Sequence, residues 1–487
     1  MVRNWSAVCT SIILMLVGAP AAAQSKDALR TAVERAVASN PEVSARFNAY
    51  RASLDASAAA RAAYLPRVDL NASVGRDNDR ITSRSPETNS QSRTGVGVTL
   101  TQLLWDGLST HKEVERLSHD QLARYFELID TTEQVVLDTA RALYDVMRFR
   151  RLVALAEDNY VQHRFAFVQI QSRFKAGVGR GVDLEQAGAR VALAESNLAT
   201  EVANLHDVVA RYQRIVGEAP PPDLPAVTPL KAGTPSSSAD TMGAAVRQNA
   251  AISASIESLR AARALTEVRR SAFQPRVEAR LRSQGGHNVD GVRDQTRDSA
   301  AEIVLNWNLY AGGADQARVR QQVNLVNQAA DQRDKACRDA RQTAAIAFND
   351  IQKLGEQLVL LDRNALAIEK ARDAYRQQFD IGQRSLLDVL NAENELYTAK
   401  RAYANAEHDL ALAYARTHAA MNQLGMQLGV SRPDASAGDA AAWAQGEDAP
   451  MRCAVSPVTV KTTDRAELDA RAQGIAVTAP GQPARKP

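Results

Sequence analysis

The sequence predicts a mainly helical fold written twice in tandem, carrying four strands that belong to a membrane β-barrel and close it only in a trimer. Three observations predict it. First, two stretches match without a gap: ASNPEVSARFNAYRASLDASAAARAAYLPRV from Ala38, and RQNAAISASIESLRAARALTEVRRSAFQPRV from Arg247. They set Asn40 against Asn249 and Pro66 against Pro275, 209 residues apart. Second, LLWDG and NLYAG set Gly107 against Gly312, and Phe174, Gly177 and Asp183 against Phe379, Gly382 and Asp388, all 205 residues apart. Third, each matched helix is followed by residues that alternate apolar and polar, and then by about 65 residues of helical pattern.

The ends of the chain come first. MVRNWS, a run of about thirteen apolar residues and the small-residue site APAAAQ form a secretory signal over 1–23, with Gln24 as the expected first mature residue. Beyond it only Cys337 and Cys453 remain. One bridge would staple a chain of this length poorly, and both cysteines are expected to be unpaired. The net charge of +3 on 487 residues implies no nucleic-acid partner. Aromatic residues are 5% of the chain, which suits closely packed helices better than one thick core.

The first repeat spans 24–217 and the second 241–430. In each, an Asn starts a helix of moderate length and a Pro stops it, at Pro66 and Pro275. Val68, Leu70, Ala72 and Val74 then alternate with polar residues, as do Val96, Val98 and Leu100. Val277, Ala279 and Leu281 do the same, as do Ile303, Leu305, Trp307 and Leu309. Strands are expected over 67–75, 95–105, 276–283 and 300–310. Long helices follow, from Ser109 to Phe174 and from Ala314 to Phe379, each roughly 100 Å if unbroken. After a glycine turn, helices return from Asp183 to Val216 and from Asp388 to Leu428. Leu396, Ala399, Tyr403, Ala406, Leu410 and Ala413 mark a coiled-coil seam on the last.

The strands are isolated hairpins in helical sequence, with one apolar and one charge-bearing face. That is the lipid-out, lumen-in pattern of an outer-membrane barrel. Tyr64 and Phe273 enter the hairpins, and Trp105 and Tyr310 leave them. All four would sit at one membrane face as an interfacial girdle. Four strands cannot close a barrel, so three chains with twelve strands are expected, continuous with a helical barrel. The segments Arg76–Arg93 and Ser283–Ser299 become outer loops.

With these features the chain resembles the TolC family of trimeric outer-membrane channel-tunnels, over Lys26 to Gly429. The resemblance implies a tunnel across the periplasm whose closed inner tip is built from the two Phe-Gly-Asp turns. It also implies a place in the outer membrane of a Gram-negative cell, a homotrimer, a periplasmic adaptor and an inner-membrane pump. Gly177 and Gly382 would reverse the chain. Asp183, Arg384 and Asp388 match positions that hold the tip shut, and Phe379 stands where an aromatic takes part in the gate. Asn391 occupies the position of a second acidic ring, a departure from the family pattern of two Asp rings for a cation. Ser385 and Asp388 also spell a capping box, which would explain the Asp without gating.

The stretch LAEDNYVQHRFAFVQIQSRFKAGVGRGVDLEQAGAR, from Leu155, is similar to the subset that serves type I secretion of large adhesins and toxins. That resemblance implies an ABC exporter as the pump, with an RND efflux pump as the alternative. The seven histidines lack metal-ligand spacing, and no nucleophile elbow occurs. Catalysis, cofactor and metal are not expected. A coiled-coil stalk would explain the helices but not the duplicated hairpins. Residues 218–240 are expected to link the copies at the tunnel's equator. Residues 431–487, without periodicity, are expected to form a disordered periplasmic tail with no apolar face to bury.

Overall fold

The computed structural model describes residues 21–80, 82–83, 85, 87–288, 294–430, 451–455 and 463–476. The first repeat runs α1 (Ala21–Ser39), α2 (Pro41–Arg61), β1 (Arg67–Arg80), β2 (Thr88–Trp105), α3 (Ser109–Lys175) and α4 (Gly181–Val216). The second runs α5 (Ser238–Gln248), α6 (Ala250–Arg270), β3 (Arg276–His287), β4 (Gln295–Asn306), α7 (Ala314–Asp380), α8 (Leu386–Ala420) and α9 (Leu424–Leu428). A last helix, α10, spans Arg465–Ala476. Among the described residues, no helix is long and apolar enough to cross a membrane.

Local chemistry sets the boundaries, and it does so twice. Asn40 and Asn249 cap α2 and α6 by accepting from the amides of Glu42 and Ile252. Leu108 and Gly313 both adopt left-handed backbone where strand passes into long helix. The long helices α3 and α7 have 67 residues each, which is about 100 Å of rod at 1.5 Å per residue.

The strands form one antiparallel sheet in the order β1-β2-β3-β4. They extend well past the alternating stretches, because polar residues continue the ladder: Arg80 pairs Thr88, and His287 pairs Gln295. The segments expected to be outer loops are therefore mostly strand. At the other end β4 stops at Asn306, so Tyr310 lies beyond it.

The largest core lies midway along the helices. Tyr144, Leu143, Leu128 and Tyr212 from α3 and α4 meet Leu29 and Val33 from α1 and Leu424 and Leu428 from α9. The final helical pattern is broken at 421–423, where Asn422 turns left-handed and the amides of Leu424 and Gly425 donate to the buried carboxylate of Glu133.

Two expectations about the end of the chain are corrected. Cys337 on α7 and Cys453 are joined in a disulfide. Residues 451–455 are not a loose tail: Met451 and Cys453 pack against a cluster of Ile252, Ile256, Cys337 and Ala340. Arg452 donates to the Val246 carbonyl and to Ser253 Oγ at 2.6 and 2.8 Å, and Arg341 donates to the Ala454 carbonyl at 2.9 Å. Composition concealed this, because five residues can dock on partners supplied entirely by another part of the fold. Of the remainder of 431–487, residues 463–476 are described, with α10 over Arg465–Ala476, and the rest lie outside the described residues.

Candidate functional site

The two hairpin turns are built alike. The amide of Gly177 donates to the Phe174 carbonyl and that of Val178 to Arg173. The amide of Gly382 donates to the Phe379 carbonyl and that of Gln383 to Gln378. These are paired Schellman closures, with glycine at the left-handed position, φ +76° and +77°. After the turn the copies diverge. Ser385 and Asp388 form a complete capping box at the start of α8. Arg180, its counterpart at the start of α4, makes no side-chain cap.

Arg384 lies on its own hairpin. It donates to Gln378 Oε1 at 3.2 Å, stands 3.8 Å from Asp388 Oδ2 and stacks on the ring of Tyr375. Asp183 is half-exposed in the first turn of α4 and has no hydrogen bond or ion pair among the described residues. The two do not meet within one chain. Phe379 is buried, with the Arg173 guanidinium of the other hairpin 4.9 Å above its ring.

Further bonds between the hairpins of one protomer were not evident from the motifs. Arg190 donates to Asn391 Oδ1 at 2.8 Å, and Arg376 to Gln162 Oε1 at 2.6 Å. Higher up, Arg401 pairs with the buried Glu201 at 2.6 Å and Arg148 with Asp409 at 3.1 Å. Arg372 holds the buried Glu393 at 3.0 Å beside His163, whose ring burial keeps less basic than usual. An apolar patch of Ala166, Ile170, Ala187 and Leu390 fills the space between them. Their only signal in the sequence was polarity on helix faces otherwise given to the seam.

At the opposite end, the sheet separates its chemistry by face. Val68, Leu70, Val74, Ile303 and Leu305 are more than half exposed on one side. The other side carries paired charges: Arg67 with Asp69, Arg276 and Arg280 with Glu278, and Arg282 with Asp298. Tyr64, Trp105, Phe273 and Tyr310 are all exposed where the sheet meets the helices. Gln102 donates to the Tyr64 carbonyl, and Trp307, at the matching position, donates to the Phe273 carbonyl. Trp307 is thus a further exposed aromatic at this level.

A charged sheet face, a lipid-like apolar face and rods of this length define a channel-forming outer-membrane protein that extends into the periplasm. The chain belongs to the outer membrane efflux protein family, whose model matches residues 32–218 and 242–423, one segment in each repeat. It is 26% identical to the outer membrane efflux protein BepC of Brucella suis, over 77% of this chain and 82% of that protein. It is 24% identical to the alkaline protease secretion protein AprF of Pseudomonas aeruginosa, over 78% and 81% of the two. Among solved structures it is similar to the outer-membrane channel OprN, with a TM-score of 0.72 and 21% identity, over 82% of this chain and 92% of that one. The fold class is accordingly a channel-tunnel, an α-barrel continuous with a β-barrel that three chains complete. It is a transport component and not an enzyme.

Proposed function

We propose that the protein is the outer-membrane exit duct of a tripartite type I secretion machine. It receives large unfolded protein substrates from an inner-membrane ABC exporter through a periplasmic adaptor, and releases them outside. The observation that carries a duct is the alignment of two features on one molecule: a sheet with one apolar and one charge-bearing face, and hairpins about 100 Å away whose tips are tied by polar bonds. Similarity to a protein named for protease secretion supports a protein cargo. A pump for small molecules is the second reading, favoured by similarity to a protein named for efflux.

In this reading Tyr64, Trp105, Phe273 and Tyr310 lie at the membrane interface. The turns at Gly177 and Gly382 form the closed tip, with Asp183 offered to Arg384 of a neighbouring protomer, and Asp388 and Phe379 fixing the second turn. A docking partner opens the tip by favouring the open arrangement over the closed one.

Purified in detergent, the mature chain should scatter light as a trimer and conduct ions in a planar bilayer. A non-conducting monomer would overturn the duct. Deletion of the gene should remove one or a few large proteins from the culture supernatant. Unchanged secreted proteins together with heightened sensitivity to antibiotics would replace protein export with efflux.

A further inference from the structure

The same face of the long helix is covered in each repeat, but by different means. Thr132 and Val136 of α3 stand at the positions of Cys337 and Arg341 of α7, 205 residues apart. In the first repeat Thr132, Glu133 and Val136 face Gly425, Met426 and Gly429 of the α9 segment. In the second repeat Cys337 and Arg341 face residues 451–455. The second cover also shields α6. Ile252 and Ile256 of α6 are fully buried, and Met451 and Cys453 belong to their packing.

We propose that the Cys337–Cys453 disulfide is a latch closed after export, seating residues 451–455 on the second repeat as the counterpart of α9 on the first. Three elements meet under this strap. Arg452 ties the last turn of α5 to α6 through Val246 and Ser253, while the disulfide and Arg341 fix the same five residues to α7. The bridge spans a sequence separation of 116, including nearly two thirds of α7, the tip turn and all of α8. The second hairpin is therefore closed covalently at its base. The cover on α3, by contrast, is held without a covalent bond, by the Glu133 carboxylate at the amides of Leu424 and Gly425.

Closure needs an oxidant, here a disulfide donor of the extracytoplasmic compartment. The Cys453 thiolate attacks one donor sulfur and releases the other as a thiolate, leaving a mixed disulfide. The Cys337 thiolate then attacks Cys453 Sγ and expels the second donor thiolate. The two protein thiols lose two protons and two electrons, and the donor becomes a dithiol. The latch rests on the outer-membrane placement of the chain, which puts it in that compartment. Conductance of the same preparation tests the duct separately.

The test is peptide mapping and limited trypsin digestion of trimer purified without reductant. The peptides bearing Cys337 and Cys453 should be found linked, with neither cysteine open to alkylation. Trypsin should cut slowly after Arg452 while its guanidinium is held by Val246 and Ser253. After reduction of the assembled wild type, and in Cys453→Ser, cleavage there should rise at least tenfold. Amide exchange over 250–258 should rise with it. Free thiols at both positions in the exported protein would overturn the latch. So would cleavage and exchange that do not change on reduction, a measurement that stands even if Cys453→Ser fails to assemble.

Discussion

The guanidinium of Arg190 on α4 donates to the side-chain oxygen of Asn391 on α8 at 2.8 Å, tying the two hairpins of one protomer close to their turns. A net contribution of about 0.5–1.5 kcal/mol is ordinary for one such bond. Repeated in three protomers, it reaches the scale of a gate that a partner can open. Arg190→Ala and Asn391→Ala should each raise resting conductance in a bilayer, and the double variant should add little to either. Asn391→Asp keeps an acceptor and adds three negative charges to the trimer, so its reversal potential should shift toward cations. Wild-type conductance and selectivity in all of these variants would remove the pair from the gate.

Among the described residues Asp183 has no hydrogen bond or ion pair, whereas Arg384 is shared between Gln378, Asp388 and the Tyr375 ring. If neighbouring protomers supply the missing contact, Asp183→Ala combined with Arg384→Ser should raise resting conductance without lowering the amount of trimer. Each exposed pair is worth about 0–1 kcal/mol and is screened by salt. Wild-type closure should therefore weaken modestly at high ionic strength. A double variant that conducts like the wild type would leave Arg384 and Asp183 as turn residues alone.

The glycines of the first turn are not equivalent. Gly177 has positive φ but open space where a Cβ would stand, so Gly177→Ala should cost about 1–2 kcal/mol of backbone strain. A Cβ at Gly179 would lie 2.7 Å from the backbone nitrogen of Phe174, which cannot retreat without opening the turn. Gly179→Ala should therefore lower the temperature at which the trimer dissociates more than Gly177→Ala does. The reverse order would mean that the turn yields at Phe174.

Three buried histidines set a pH dependence. Burial makes His163, His408 and His418 less basic than usual, against opposing effects of Glu393 on the first and of Asp409 and Asp145 on the second. The unfolded chain takes up these protons near pH 6.5, and the folded chain only at lower pH. Stability is thus intact above about pH 6.5 and falls as pH drops toward the lowered folded values. Asp130 and Glu407, raised by burial, act in the opposite sense closer to the carboxylate range. Heat dissociation should occur at lower temperature at pH 5.5 than at pH 7.5, with a smaller difference in His163→Gln. An unchanged difference in that variant would assign the effect elsewhere.

The repeat was legible because its markers are backbone necessities. Asn caps, a Pro that stops a helix and a Gly that turns one are demanded by φ, ψ and unpaired amides, whatever surrounds them. The alternation of Val68 to Val74 was legible for the same reason, since the pleat forces it. The polar extensions at Arg76–Arg80 and Thr88–Arg93 were not, because ladder hydrogen bonds need no apolar side chain. The pairing of Cys337 with Cys453 was hidden by distance along the chain, as were Arg190 with Asn391 and Arg376 with Gln162. Each partner alone is an ordinary residue on a helix face, and only the fold brings them together.

The ladders of the one antiparallel sheet do not all run the same length. The ladder between β2 and β3 ends where Thr94 pairs with His287, and the six residues of β2 from Thr88 to Arg93 continue the ladder with β1 alone among the described residues. Around a threefold axis three such two-stranded segments recur. Arg76, Asp77, Asn78 and Arg93 give this segment charged and amide side chains, so the ladder continues on backbone bonds where the apolar alternation has ended.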